Sequence, residues 1–178
     1  MHGVVSLLDA AHYQPVESLW AELAAACGQR GVYVTPFPHF SYHVAADYDL
    51  PALDAVLHDF ARAQAPFRVT TTGLGIFTGA APVVYVPVVR DPALTAFHQA
   101  LWPRLEAVAT GGSGYYAPGA WMPHITLVFG DATPARLPDV LRLLGGRSFN
   151  WDIAVDNLAL VYDSGAGQAV HARYALGR

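Results

Sequence analysis

Pro38-His39-Phe40-Ser41-Tyr42-His43-Val44-Ala45 and Pro123-His124-Ile125-Thr126-Leu127-Val128-Phe129-Gly130 are two copies of one pattern, Pro-His-x-[Ser/Thr]. An acidic turn follows the first copy and Asp131 follows the second. A proline-started helical stretch then leads to a strand opening at Phe67 in one case and at Phe149 in the other. The unit before each copy also recurs, since Val4–Leu8 precedes a helix at 15–27 and Val83–Val89 precedes one at 92–108. Two long copies do not make a solenoid. They predict an α+β fold of duplicated strand–helix units, with largely antiparallel sheets in two lobes around a central cleft. A pseudo-two-fold would relate the lobes within one domain spanning 1–178.

Hydrophobic period and breakers give the coarse order of elements. Val4–Leu8 reads as a strand and Pro15–Cys27 as a helix. Val32–Ala45 reads as an extended stretch broken near Pro36 and Pro38. A helix is expected over Leu50–Gln64, then a strand with a bulge over Phe67–Thr78 and an apolar strand over Pro82–Arg90. Asp91 and Pro92 have the chemistry of an N-cap and first helical residue for a helix reaching Val108. Thr110–Gly119 reads as a glycine-rich loop and Trp121–Gly130 as a strand. Pro134–Gly145 reads as a helix, Phe149–Tyr162 as a strand region, Asp163–Gly167 as a hairpin turn and Ala169–Leu176 as a last strand.

Composition bounds the function. Of the 178 residues 53% are apolar and 13% charged, which excludes disorder. No apolar run approaches the roughly 18 residues of a membrane span. Cys27 is the only cysteine and the N-terminal residues lack a basic signal region, so a cytoplasmic protein with no membrane partner is expected. The net charge is −4 and all 10 cations are Arg. Without Lys there is no phosphate-loop or Schiff-base lysine. Weak binding to long nucleic acid follows, because tight binding needs many phosphate contacts from a basic face. One nucleotide or one oligonucleotide end needs only a few donors.

Alternate strand residues share a face. His39 and Ser41 therefore project together, as do His124 and Thr126, while Phe40, Tyr42, Ile125 and Leu127 point back into packed helices. Two imidazoles and two hydroxyls suit in-line displacement at phosphorus. One neutral His removes a proton from the nucleophile, and one protonated His delivers a proton to the leaving oxygen. The hydroxyls would hold the non-bridging oxygens. This scheme needs no metal or other cofactor. By parity His43 shares the face of His39 and Ser41. It then either reaches the cleft or is a satisfied structural histidine. A metal site of His39, His43 and His124 would make the protein a metal-dependent hydrolase, but those strands carry no carboxylate at ligand spacing. His2, His12, His58, His98 and His171 read as surface or structural. Tyr115, Tyr116 and Trp121 flank the glycine-rich loop and are candidates for stacking a base, worth about 1–3 kcal/mol each. Trp121 is equally suited to packing the loop onto the body of the protein.

The tetrapeptides His39-Phe40-Ser41-Tyr42 and His124-Ile125-Thr126-Leu127 resemble the paired His-x-[Thr/Ser]-x motifs of the 2H phosphoesterase superfamily. The segment Tyr116–Leu127 resembles the second motif of its 2′-5′ RNA ligase and cyclic phosphodiesterase branch. The resemblance implies an enzyme acting without metal on a 2′,3′-cyclic phosphate, or a related cyclic phosphodiester, of a nucleotide or RNA end, with 2′-5′ RNA ligase-type activity as a further role. It assigns His39 and His124 as catalytic acid and base, and Ser41 and Thr126 as phosphate contacts. Ser41 keeps the hydroxyl of the commoner Thr, and no Arg sits close before either motif. An RNA end, a mononucleotide and ADP-ribose cyclic phosphate all stay open as substrates. A monomer is expected. The rival from another class is a module that binds a nucleotide or RNA end without turnover.

Overall fold

A computed structural model describes residues 2–163, 165 and 167–177. Its strands are β1 (His2–Leu7), β2 (His39–Tyr48), β3 (Phe67–Thr70), β4 (Gly75–Phe77), β5 (Val83–Pro87), β6 (Ala109–Gly112), β7 (His124–Val128), β8 (Asp152–Val155), β9 (Asn157–Asp163) and β10 (Gln168–Ala175). The α-helices are α1 (Ala10–Cys27), α2 (Leu50–Arg62), α3 (Pro92–Glu106) and α4 (Leu137–Leu144), and short 3₁₀ turns cover Gly31–Val34 and Gly114–Tyr116. One sheet has the order β10-β9-β1-β2-β6; the others are β4-β5-β7 and β3-β8. These strands all pair antiparallel. The chain is thus the α+β, two-lobed fold that the duplication predicts.

The lobes interlock. Helix α1 follows β1 in sequence yet packs on β7 of the other lobe, and α3 follows β5 yet packs on β2. Each motif strand is therefore backed by a helix from the opposite half. Asp9, Asp49 and Asp91 cap α1, α2 and α3 by accepting from main-chain N–H groups three residues on. A continuous core joins Trp20 and Leu23 of α1, Tyr42 of β2, Leu101 of α3 and Ile125 of β7.

Several boundaries move. Helix α1 starts at Ala10, not Pro15. The Asp9 cap accepts from His12 N at 3.1 Å, and that outweighs a proline inside the helix. The stretch read as one strand over 67–78 is two strands that join different sheets, with Gly73 at φ +55° between them. Likewise 149–162 divides into β8 and β9. The stretch from 32 begins as a 3₁₀ turn before β2. The glycine-rich segment read as a loop forms β6, pairing Thr110 with Asp47 and Gly112 with Ala45. Ladder bonds are main-chain bonds, so glycine composition hides such a strand. Of the expected hairpin turn at 163–167, Ser164 and Ala166 lie outside the described residues.

Candidate active site

Each motif opens a strand, β2 at His39 and β7 at His124, and the two strands pack against one another. Along both, half-buried residues alternate with buried ones: His39, Ser41, His124 and Thr126 on the cleft side, Phe40, Tyr42, Ile125 and Leu127 in the core. Tyr42 packs on Phe97 of α3 with ring centroids 5.3 Å apart. That core face fixes the register and so presents the polar face to the cleft.

The two imidazoles are oriented alike. His39 Nδ1–H donates to the carbonyl of Phe37, two residues earlier, and His124 Nδ1–H donates to the carbonyl of Met122 at 2.6 Å. This sets the tautomer of each neutral ring and leaves Nε2 as its proton acceptor. Burial pushes both pKa values below that of free His, while the carbonyls oppose the shift, and the charge of His124 further depresses His39. His39 thus lies within electrostatic reach of His124.

Their walls differ. His39 stands opposite Leu7 and Ser41 opposite Val5 in the β1–β2 ladder. Val5 and Leu7 join Ala159, Val161, Phe37 and Val170 in a separate apolar cluster. Across the cleft His124 meets the ring of Phe77 at 5.1 Å and that of Tyr85 at 5.0 Å, and those two rings stack at 4.2 Å. Tyr85 is opposite Thr126 in register. Its ring lies over Gly75, where a Cβ would overlap the ring edge at Cε2. Strand parity leaves the direction of Tyr85 open and the sequence does not single out Phe77, although a glycine in the strand preceding an aromatic one signals such close approach.

His43 does not share the cleft face. The β1–β2 register slips between Val4 and Val5, so Ser41 pairs with Val5 but His43 pairs with Val4. One extra residue in β2 inverts the parity beyond it. His43 is fully buried behind the sheet. Its Nε2–H donates to Glu106 at 2.8 Å, and its Nδ1 accepts from the Tyr48 hydroxyl at 2.6 Å. It is a satisfied structural histidine, and burial lowers its pKa while Glu106 opposes the shift. A metal set containing it with His39 and His124 is not assembled, and no group of three or more His, Cys, Asp or Glu among the described residues is placed to hold a metal ion.

Of the two roles open to Trp121, the structure shows the packing one. It is buried rather than offered to a base, stacked on His98 at 3.8 Å, and its indole N–H donates to the Ser41 carbonyl at 2.8 Å. Tyr116 is half-buried against the core, whereas Tyr115 is 84% exposed. His98 is buried as well, its pKa lowered to about 4 by desolvation, with Nε2–H donating to the Tyr42 carbonyl at 3.0 Å.

A duplicated α+β fold holding paired His-x-[Ser/Thr] strands across a cleft defines the 2H phosphoesterase class. Residues 8–167 match the 2′-5′ RNA ligase superfamily, and the chain belongs to that family. Similar solved structures include TT0787 of Thermus thermophilus, at 19% identity and TM-score 0.65, with 99% of this chain and 97% of that one covered. E. coli LigT complexed with 3′-AMP matches at 18% identity and TM-score 0.61, covering 99% and 98%. A structure described as a phosphoesterase matches at 17% identity and TM-score 0.60, with the same coverage. At these identities the likeness is one of fold. No curated protein sequence matches. No helix among the described residues is long and apolar enough to cross a membrane.

Proposed function

We propose that this protein opens a 2′,3′-cyclic phosphate on a nucleotide or RNA end. One of His39 and His124 takes the proton of an attacking water through Nε2. The water oxygen bonds to phosphorus, the bond from phosphorus to one ribose oxygen breaks, and the other histidine delivers a proton to that oxygen. The product is a phosphomonoester beside a free hydroxyl. In the ligase-type reaction the hydroxyl of a second RNA end takes the place of water. Ser41 and Thr126 donate to the non-bridging oxygens and hold the phosphate in line. The scheme calls for no metal.

The observation that carries this proposal is the duplicated fixing of two imidazoles. Both Nδ1 atoms are bound to the carbonyl two residues before, and both side chains lie beside a hydroxyl on the same strand face. A general base and a general acid need such orientation more than they need a particular fold. The bound 3′-AMP of the E. coli LigT structure supports a nucleotide as the ligand class. The acidic net charge of −4 favours a small ligand or a chain end over long RNA. Hydrolysis of 2′,3′-cyclic AMP, with and without a chelator, tests the proposal. Turnover is expected in both conditions. A folded protein that binds the nucleotide without turnover would mark a binding module, and loss on chelation would mark a metal-dependent hydrolase.

A further inference from the structure

Two tryptophans are arranged crosswise on the motifs. Trp20 lies in α1, in the first half of the chain, and its indole N–H donates to the main-chain carbonyl of Thr126 in the second motif at 3.0 Å. Trp121 lies three residues before the second motif, and its indole donates to the carbonyl of Ser41 in the first motif at 2.8 Å. Both side chains are buried. Trp20 also meets Tyr33 edge-on at 6.2 Å. Trp121 is held between His98 and the guanidinium of Arg90, 5.8 Å from its ring, and Arg90 also donates to the Trp121 carbonyl at 2.9 Å.

The acceptors sit at equivalent places. The β1–β2 ladder slips after Ser41, and the β5–β7 ladder slips after Thr126, which pairs with Tyr85 while Val128 pairs with Val84. Each accepting carbonyl therefore belongs to the peptide that enters a bulge. A bulge disrupts the local ladder and re-aims the side chains beside it. The tilt of that peptide sets the direction of the preceding side chain, here the hydroxyl of Ser41 or Thr126. An indole N–H on its carbonyl fixes the tilt from outside the ladder.

We propose that Trp20 and Trp121 are positioning residues for the cleft, each holding the bulge of the motif in the opposite half of the chain and so aiming its hydroxyl at the phosphate. The proposal rests on the phosphoesterase reading of the cleft. It adds a coupling that the motifs alone do not contain. Helix α1 must be docked for the second motif to be shaped, and the segment before the second motif must be docked for the first.

The N–H can be removed without changing shape by replacing each tryptophan with 3-benzothienylalanine, which carries sulfur in its place. A 7-azatryptophan control keeps the N–H. Main-chain amide and imidazole NMR signals are followed during titration with inorganic phosphate, alongside turnover of 2′,3′-cyclic AMP. With sulfur at 121, the signals of Ser41, Tyr42 and His39 should move while those of Thr126 and Leu127 stay. With sulfur at 20, the pattern should reverse. Phosphate binding should weaken and kcat fall on the order of 10-fold in each case, with the azatryptophan forms close to wild type. Trp20→Phe and Trp121→Phe should show the same crosswise pattern with additional loss of Tm. Shifts shared by both motifs, or absent from them, would overturn the proposal even in an active enzyme. A wild-type protein without turnover would overturn the functional reading, and the crosswise shifts would still decide the anchoring.

Discussion

His43 and Val128 occupy the same place in the two motif strands. Each lies two residues beyond a motif hydroxyl, on the far side of a bulge, paired with a valine of the neighbouring strand and fully buried. The equivalence predicts that the imidazole of His43 takes no part in turnover. His43→Val should fold and keep kcat within about threefold of wild type, since the site tolerates valine in the other lobe. It should lose stability of about 1–3 kcal/mol, because the Tyr48 hydroxyl and Glu106 lose a partner. Urea unfolding and steady-state kinetics on the same preparation measure both. Loss of activity in a folded His43→Val protein would place His43 in the mechanism after all.

Either motif histidine is expected to be indispensable. General acid–base catalysis contributes about 10²–10⁴-fold per group. His39→Ala and His124→Ala should each lose at least the lower figure in kcat, and Ser41→Ala and Thr126→Ala on the order of 10-fold, as groups that position rather than transfer protons. The double histidine variant should lose less than the product of the single losses, because the pair acts as a unit. A folded His124→Ala protein with wild-type turnover would end the two-histidine mechanism.

The pH dependence follows from burial. Both imidazoles have pKa values below the free value, His39 depressed further by His124. The base must be neutral and the acid protonated, so the profile of kcat/KM is a bell centred between the two values. With both lowered, the maximum should lie on the acid side of about 6.5, the unperturbed value for His. A bell centred above that point would show that the cleft raises at least one of them.

Much of this architecture is legible in the residues alone. The repeat of Pro-His-x-[Ser/Thr] with its flanking units implies two lobes, and strand parity puts Phe40, Tyr42, Ile125 and Leu127 into the core. What parity cannot supply is the bulge. Tyr42 and Leu127 are ordinary strand residues, and nothing in them marks an extra position in the ladder. Parity therefore assigns His43 to the wrong face. The same limit hides Tyr85, whose direction depends on register with Thr126. Composition misleads at β6, where glycines hide main-chain pairing, and at Trp121 it leaves a stacking platform and a packed residue equally open. Its buried indole bond reaches Ser41, 80 positions away, and local sequence holds no trace of such a partner.

His98 supplies an acid-sensitive element of stability. Its pKa is lowered to about 4 by burial. A histidine held neutral in the fold but free to protonate when unfolded stabilises fully above about 6.5 and progressively less as pH falls toward the folded value. The difference in pKa corresponds to about 3 kcal/mol between those limits. His98→Gln should be less stable at pH 8, where the stacking on Trp121 is lost, yet should lose less than wild type between pH 6.5 and 4. Parallel slopes for the two proteins in chemical denaturation would show that His98 does not carry this dependence.

Gly75 offers a test of the wall beside His124. A Cβ there would overlap the Tyr85 ring, and the ring cannot swing freely, being 5% exposed and stacked on Phe77 at 4.2 Å. Gly75→Ala therefore displaces the Tyr85 ring, whose centroid lies 5.0 Å from that of the His124 imidazole. The overpacking should cost about 1–3 kcal/mol, with the fold retained. Its functional effect should exceed that of a remote mutation of equal cost, because a displacement of an ångström at a proton-transfer group can cost up to 10²-fold in rate. We expect kcat to fall on the order of 10-fold, and Gly75→Ala/Tyr85→Leu to recover part of that loss by freeing the space over the strand. Circular dichroism confirms folding, and kinetics on 2′,3′-cyclic AMP give the comparison. A stable Gly75→Ala protein with unchanged kcat would mean that Tyr85 moves away from His124, and the wall would then play no part in holding that imidazole.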